Sequence, residues 1–483
     1  MNLEFLRPTL KYIPEVKHPK RHVPFKEKLL WTSLVLILFF IMGTIYPIKV
    51  SEAKLPLQYQ QLTMIFASSL GSIISAGIGP IVTASIILQL LIGSKIVELD
   101  ISKAENRALF QGTQKILTIL LSFFEAAAIV YGFRLSADIV ENLDGTRSYV
   151  FSHPLVELTI LQIALGSIFL MYMDEIVSKW GIGSGISLFI AGGVAQHIIT
   201  ASLNFMKSET GEFYGRIPLF LGYIISGYID LGVIMILFPI IATIVVFLIV
   251  VYAEAMRLEI PLSYGGIRGI GGRYPLKFLY VSNIPVILTS ALLANVTMVA
   301  HFVGVDINAP STAEMTAFQR VMHTVAYYVT LGNLNNIVPE SLTDIFSGQI
   351  PRIFTFEIFL HLIIYFFIFV GLCILFGKFW VETTGLGAEQ IAEQIQNAGM
   401  QIPGFRRDKR IVEKVLNRYI PQITIISSFA VGLLAFGADL LGALGSGTGI
   451  LLTVGIIYRL YEDIQREQMS EMHPAFRKFM GKI

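Results

Sequence analysis

Runs of roughly 18 or more mostly apolar residues, nearly free of charge, recur along this 483-residue chain, and each is long enough to cross a bilayer as a helix. Backbone polar groups find no partner in hydrocarbon. A chain with many such runs is therefore confined to a bundle of helices that satisfy their own N–H and C=O groups. Composition agrees: 54% of the residues are hydrophobic, 14% are charged, and the mean hydropathy is +0.68. The spans fall near 29–48, 78–93, 109–133, 155–173, 183–202, 231–252, 279–303, 353–376, 421–440 and 449–461. The fold class this predicts is an all-α polytopic membrane protein with ten transmembrane helices. About 28 residues precede the first run, which lacks a small-residue cleavage site, so it reads as a retained helix rather than a signal peptide.

Charge sets the orientation. Arg7, Lys11, Lys17, Lys20, Arg21, Lys26 and Lys28 precede the first span, and most other Lys and Arg lie in 94–107, 174–182, 253–278, 377–420 and the C-terminal tail. The alternate loops hold few cations, which places both termini on the cytoplasmic side. Between the first two spans, residues 62–76 (LTMIFASSLGSIISA) are moderately apolar but too short to span, and they run into Gly77-Ile78-Gly79-Pro80. A re-entrant helix is predicted there, covered by protein or lining a cavity.

The chain also repeats itself. Gly181–Ile190 and Gly445–Val454 share five of ten residues, and Pro80, Ser85 and Leu88 match Pro285, Ser290 and Leu293. Two halves of five helices would have opposite topologies, giving an inverted repeat; a chance likeness between Gly-rich helix starts is the alternative.

Candidate chemistry is sparse. The single cysteine, Cys373, permits no intrachain disulfide, and the eight histidines show no close pairing suited to zinc. Gly183-Ser184-Gly185 with His197 fails as a Ser–His dyad, since 13 residues of helix separate the pair by roughly 20 Å. No phosphate-binding loop is present. The intramembrane charges are Lys115, Glu125, Asp174 and Glu175, of which only Glu125 lies at mid-depth; such a lone acid reads first as a partner for a neighbouring helix. The sequon Asn295-Val296-Thr297 lies within a span and reads as unused. The basic loops 253–278 and 377–420 suit either topology control or an acidic partner such as RNA. Two function classes remain: a channel, or an ion-coupled secondary transporter built on inverted repeats.

Several of these segments, in order, resemble the SecY family of protein-conducting channels, and most closely its archaeal members and the eukaryotic translocon α subunit. The resemblance is carried by Ile13-Pro14-Glu15-Val16, Phe25-Lys26-Glu27-Lys28, Gly79-Pro80-Ile81-Val82-Thr83, Asn106–Phe110, Gly183–Ile190, Ser282-Asn283-Ile284-Pro285, Arg418-Tyr419-Ile420-Pro421 and Gly442–Gly449. It implies a clamshell of two inverted five-helix halves, 29–202 and 231–461. These are joined by an external connection at 203–230, with cytoplasmic ends at 1–28 and 462–483.

The family likeness further implies a pore ring at Ile78, Val82, Ile186, Ile190, Ile287 and Leu452, all aliphatic in this sequence. Aliphatic walls can dewet a constriction without gripping the chain that passes. It implies a plug at 62–76 that includes Ser68, Ser69, Leu70 and Gly71, where many relatives carry an Arg that is absent here. It implies lateral-gate polar residues Thr83, Gln89 and Asn295, and ribosome-docking residues Arg268 and Arg406. The implied function is passage of unfolded secretory polypeptides and sideways release of transmembrane segments to lipid, without catalysis or a cofactor. The implied partners are SecE, a small β subunit, the ribosome, signal sequences and nascent chains, and membrane lipid. The archaeal character argues for a cell (plasma) membrane location and against a SecA motor. Residues 335–352 match the family poorly.

Overall fold

The computed structural model describes residues 8, 13–21, 23–48, 50, 67–69, 71–93, 96–97, 104–132, 135, 137–141, 147–151, 153–207, 211–228, 230–264, 271–305, 315–334, 337–346, 351–397, 400–401 and 409–472. In the first half, α1 spans Phe25–Met42, α2 Gly79–Gly93, α3 Ala104–Gly132, α4 His153–Trp180 and α5 Gly185–Leu203, with a hairpin of β1 (Ala137–Glu141) and β2 (Arg147–Phe151) between α3 and α4. Two short helices follow, α6 (Arg216–Ile225) and α7 (Leu231–Met235).

The second half holds α8 (Phe238–Ala255), strands β3 (Arg257–Tyr264) and β4 (Gly271–Lys277), α9 (Ile284–Phe302), α10 (Ala317–Val329) and α11 (Ile337–Phe346). It ends with α12 (Phe356–Thr383), α13 (Ala388–Asn397), β5 (Met400–Gln401), α14 (Lys409–Leu440) and α15 (Gly447–Met472).

Each of the ten apolar runs contains a helix. Among the described residues, seven helices are long and apolar enough to cross a membrane, the longest covering α12 and α13 together. The other three runs fall outside that description for visible reasons. Lys26, Glu27 and Lys28 charge the first turn of α1, α2 has 15 residues, and α15 turns polar after Tyr458.

Three expectations change in detail. The tenth helix runs past 461 to Met472, because EDIQREQMSEM is rich in good helix formers. The basic loops add strands to the all-α expectation: β3 pairs antiparallel with β4, and Ser263 and Tyr264 of β3 pair with Gln401 and Met400 of β5, so loops 253–278 and 377–420 share one sheet. The described part of the re-entrant segment is a chain of turns rather than a helix; residues 62–66 lie outside the described residues. The serines explain the turns. Ser72 N–H and its hydroxyl both donate to Ser69 O, and the Ser75 hydroxyl donates to Ser72 O while accepting from Gly71 N–H. Such local side-chain bonds compete with the helix ladder. Ala67, Gly71 and Gly77 take positive φ values of 44°, 89° and 54°.

The repeat has a structural counterpart at the two glycine-rich helix starts. Asp174 Oδ1 on α4 accepts from Ile186 N–H at 2.9 Å and from the Ser184 hydroxyl at 3.3 Å, capping α5. Asp439 on α14 accepts from Gly447 N–H at 2.6 Å and from the Thr448 hydroxyl at 3.5 Å, capping α15. In each half an acid of the preceding helix satisfies the otherwise orphaned N–H groups of the next.

The largest apolar cluster joins the two halves. It takes residues from α1, α2, α4 and α5 of the first half and from α9, α12 and α15 of the second.

Candidate functional site

All six sequence-predicted ring residues meet in that central cluster. Ile78, Ile190 and Leu452 have no accessible surface, Val82 is buried, and Ile186 and Ile287 are half-buried and pack against them. They come from the turn before α2 and from α2, α5, α9 and α15, so the contact closes between helices of both halves. Ala67 and Ile74 of the serine-rich turns are buried in the same cluster, and Ile73 packs against it. Opening such a contact to water exposes apolar surface at about 1.5–3 kcal/mol per large side chain, and that cost keeps it shut.

The turns are held from two sides. Ile73 N–H donates to Ile45 O just beyond α1, at 2.9 Å. On α4, a Cβ at Gly166 would lie 1.9 Å from Ile73 O, so only glycine lets the two backbones approach this closely. Ser68, Ser69 and Gly71 of the predicted plug belong to this turn structure, and Leu70 lies outside the described residues.

Two of the three predicted gate residues come together. Asn295 Nδ2 on α9 donates to Thr83 Oγ1 on α2 at 2.8 Å, across the boundary between the halves. Thr83 lies 2.8 Å from Glu125 Oε1 on α3 and 2.9 Å from Gly79 O, and its single proton is shared between them. Gln89 does not join. Six residues along α2 place it about 9 Å further on and some 240° around the helix from Thr83. There it is buried and donates to Ser85 Oγ on its own helix at 3.0 Å.

Glu125, which is not in the family-derived gate set, joins the hydrogen bonds around Thr83. Its mid-depth charge was the available signal, and the partner helix expected for it is α2.

The charges near the C-terminal end of α4 form a network. Glu175 lies 2.7 Å from Lys115 and 3.0 Å from Lys179, and Lys179 reaches Glu15 and Val16 O at 2.6 Å each. The Lys179 ammonium beside Glu15 holds that carboxyl below its ordinary range. These bonds, with one from Trp180 Nε1 to Lys17 O at 3.0 Å, pin residues 15–17 over the end of α4, at the wall of a cavity of about 800 Å³ that reaches Ile81 and Ile186. Among the described residues, no group of three or more His, Cys, Asp or Glu is arranged to hold a metal. Arg268 and Arg406 lie outside the described residues.

An aliphatic contact between two helical halves, with a polar hydrogen-bonded seam beside it, is the arrangement of a gated membrane channel. A profile of the SecY family matches residues 72–461, and the chain belongs to that family. It is 44% identical to the protein translocase subunit SecY of Methanothermobacter thermautotrophicus, with 99% of each chain covered. It is 45% identical to that of Methanocaldococcus jannaschii, again over 99% of each. Among solved structures, that of a protein-conducting channel is 43% identical, covers 97% of this chain and 99% of its own, and superposes with a TM-score of 0.80. The Sec61 chain of the canine ribosome-channel complex from the endoplasmic reticulum is 43% identical over the same shares, with a TM-score of 0.77.

Proposed function

We infer that this chain is the pore-forming subunit of a Sec translocation channel, which passes unfolded polypeptides across the membrane and releases transmembrane segments sideways. The observation that carries the reading is the meeting of Ile78, Val82, Ile186, Ile190, Ile287 and Leu452 in one buried contact between the halves. In the proposed mechanism the ring seals the idle channel against ions. It yields to an entering chain because aliphatic side chains form no directional bond that sequence could satisfy or violate. Thr83, Asn295 and Glu125 form the seam through which a signal helix of about 20 apolar residues reaches lipid. Polar segments gain nothing from lipid and continue through the pore.

The proposed assembly has SecE and a small β subunit beside this chain, the ribosome on loops 253–278 and 377–420 through Arg268 and Arg406, and no SecA motor. The proposed setting is an archaeal cell membrane with both termini cytoplasmic. The channel performs no catalysis; force comes from its partners. The full-length identity to named SecY subunits supports the reading, as does the engagement of the acids a transporter would use: Glu175 by two lysines and Glu125 by Thr83.

The test is site-specific crosslinking. A photo-crosslinker at Ile287 should capture a secretory chain stalled on a bound ribosome. Its absence in a preparation that still translocates would remove Ile287 from the path. Failure to translocate with SecE supplied would return the transporter reading.

A further inference from the structure

The base of the β3–β4 hairpin is tied to helix α15 through Glu462 and Tyr458. Arg257 opens β3 and Lys277 closes β4, and the two are cross-strand partners. Both reach Glu462 on α15: Arg257 Nη2 lies 3.3 Å from Oε1 and Lys277 Nζ 3.0 Å from Oε2. One helical turn earlier, the Tyr458 hydroxyl accepts from Arg257 at 3.1 Å, and Lys277 Nζ sits 5.4 Å from the centre of the Tyr458 ring. A cross-strand cation pair repels itself unless an anion lies between, and Glu462 supplies it. Further along α15, Glu467 meets Lys28 of α1 at 2.6 Å.

The same helix is rigidly seated nearer the membrane. A Cβ at Gly455 would lie 1.9 Å from Asn283 Nδ2, and that amide donates to Leu451 O at 2.9 Å. Leu452, in the ring, precedes Glu462 by ten residues, about 15 Å of continuous helix. Hairpin base, clamp, seat and ring residue thus lie along one stiff element.

We propose that Glu462 is a positioning residue that locks the β3–β4 hairpin to α15, so that a load on the hairpin reaches the ring as a displacement of Leu452. The proposal rests on the docking role given above to loop 253–278. Without Glu462 docking and opening become separate events.

Two readouts test it on the full chain reconstituted with its partner subunits. Spin labels at Ser263→Cys and Gln465→Cys report the hairpin-to-α15 distance, since the native Cys373 is buried. Glu462→Gln should broaden that distribution. The charge exchange Glu462→Lys with Arg257→Glu and Lys277→Glu should narrow it again, and raising the salt should mimic the Gln variant. Ribosome-driven translocation should fall about three- to tenfold in Glu462→Gln, the loss expected of two half-exposed ion pairs, and recover in the exchange, while ribosome binding stays unchanged. An unaltered distance distribution in Glu462→Gln overturns the clamp. A broadened one with wild-type translocation overturns the coupling. If wild-type channels bind no ribosome, the docking reading falls instead, and the distances still decide the clamp.

Discussion

Val82 and Thr83 are adjacent on α2 and face two different closures. Val82 enters a contact built of aliphatic groups, whereas Thr83, about 100° around the helix, enters a chain of hydrogen bonds from Asn295 to Glu125. Both contacts join the same two halves, yet their costs of opening have different origins. The aliphatic contact resists water over a broad area and is indifferent to the direction of approach. The polar seam resists through a few directional bonds, each worth about 0.5–1.5 kcal/mol net, and it parts along one line. A channel that must hold back ions while accepting any sequence is served by the first. One that must sort segments by their affinity for lipid is served by the second, because a small barrier lets the transfer energy of the segment decide.

The contrast predicts effects of different kind and size. Replacing Ile78, Ile190 and Leu452 together with Gly removes three buried side chains and should raise the ion conductance of idle reconstituted channels more than tenfold, each deletion removing about 2–5 kcal/mol of packing. An unchanged leak would assign the seal to the turns at 67–77. A smaller effect is expected at the seam: Asn295→Leu removes its donor and should raise export of proteins with weakly apolar signals about fivefold, the equivalent of one lost hydrogen bond. An unaltered signal threshold would deny the seam its sorting role. The smallest effect belongs to Gln89, whose buried Oε1 has no hydrogen-bond partner among the described residues. Gln89→Leu should leave the signal threshold unchanged and shift thermal stability by less than about 0.5 kcal/mol, since an apolar group of similar size is no worse a neighbour there. A threshold change as large as that of Asn295→Leu would bring Gln89 into the seam.

The sequence displayed those parts of the molecule whose physics is local. Each predicted apolar run contains a helix among the described residues, and seven helices are long and apolar enough to cross a membrane, because insertion into hydrocarbon leaves a continuous signature. The six residues that the family likeness assigns to a ring all pack in or against one apolar cluster. The tertiary parts were harder to see. Strand β5 is two residues long and has no periodicity to detect. The turns at 67–77 looked like a helix because Ser and Ala are compatible with either, and bonds such as Ser72 to Ser69 decided between them. Glu125 was visible as an odd charge, but its partner Thr83 lies 42 positions away and only packing joins them. Gln89 shares a helix with Thr83, and its failure to share a face is a matter of helical phase.

The pairing of β3 with β5 gives loops 253–278 and 377–420 a common frame. A partner that grips loop 253–278 and loop 377–420 meets them already set at a fixed spacing. Once the first is held, the second engages as an intramolecular event at high effective concentration. Affinity for such a partner then resides in avidity: cutting the strand pairing at Ser263 and Gln401 would weaken attachment without deleting a single contact residue.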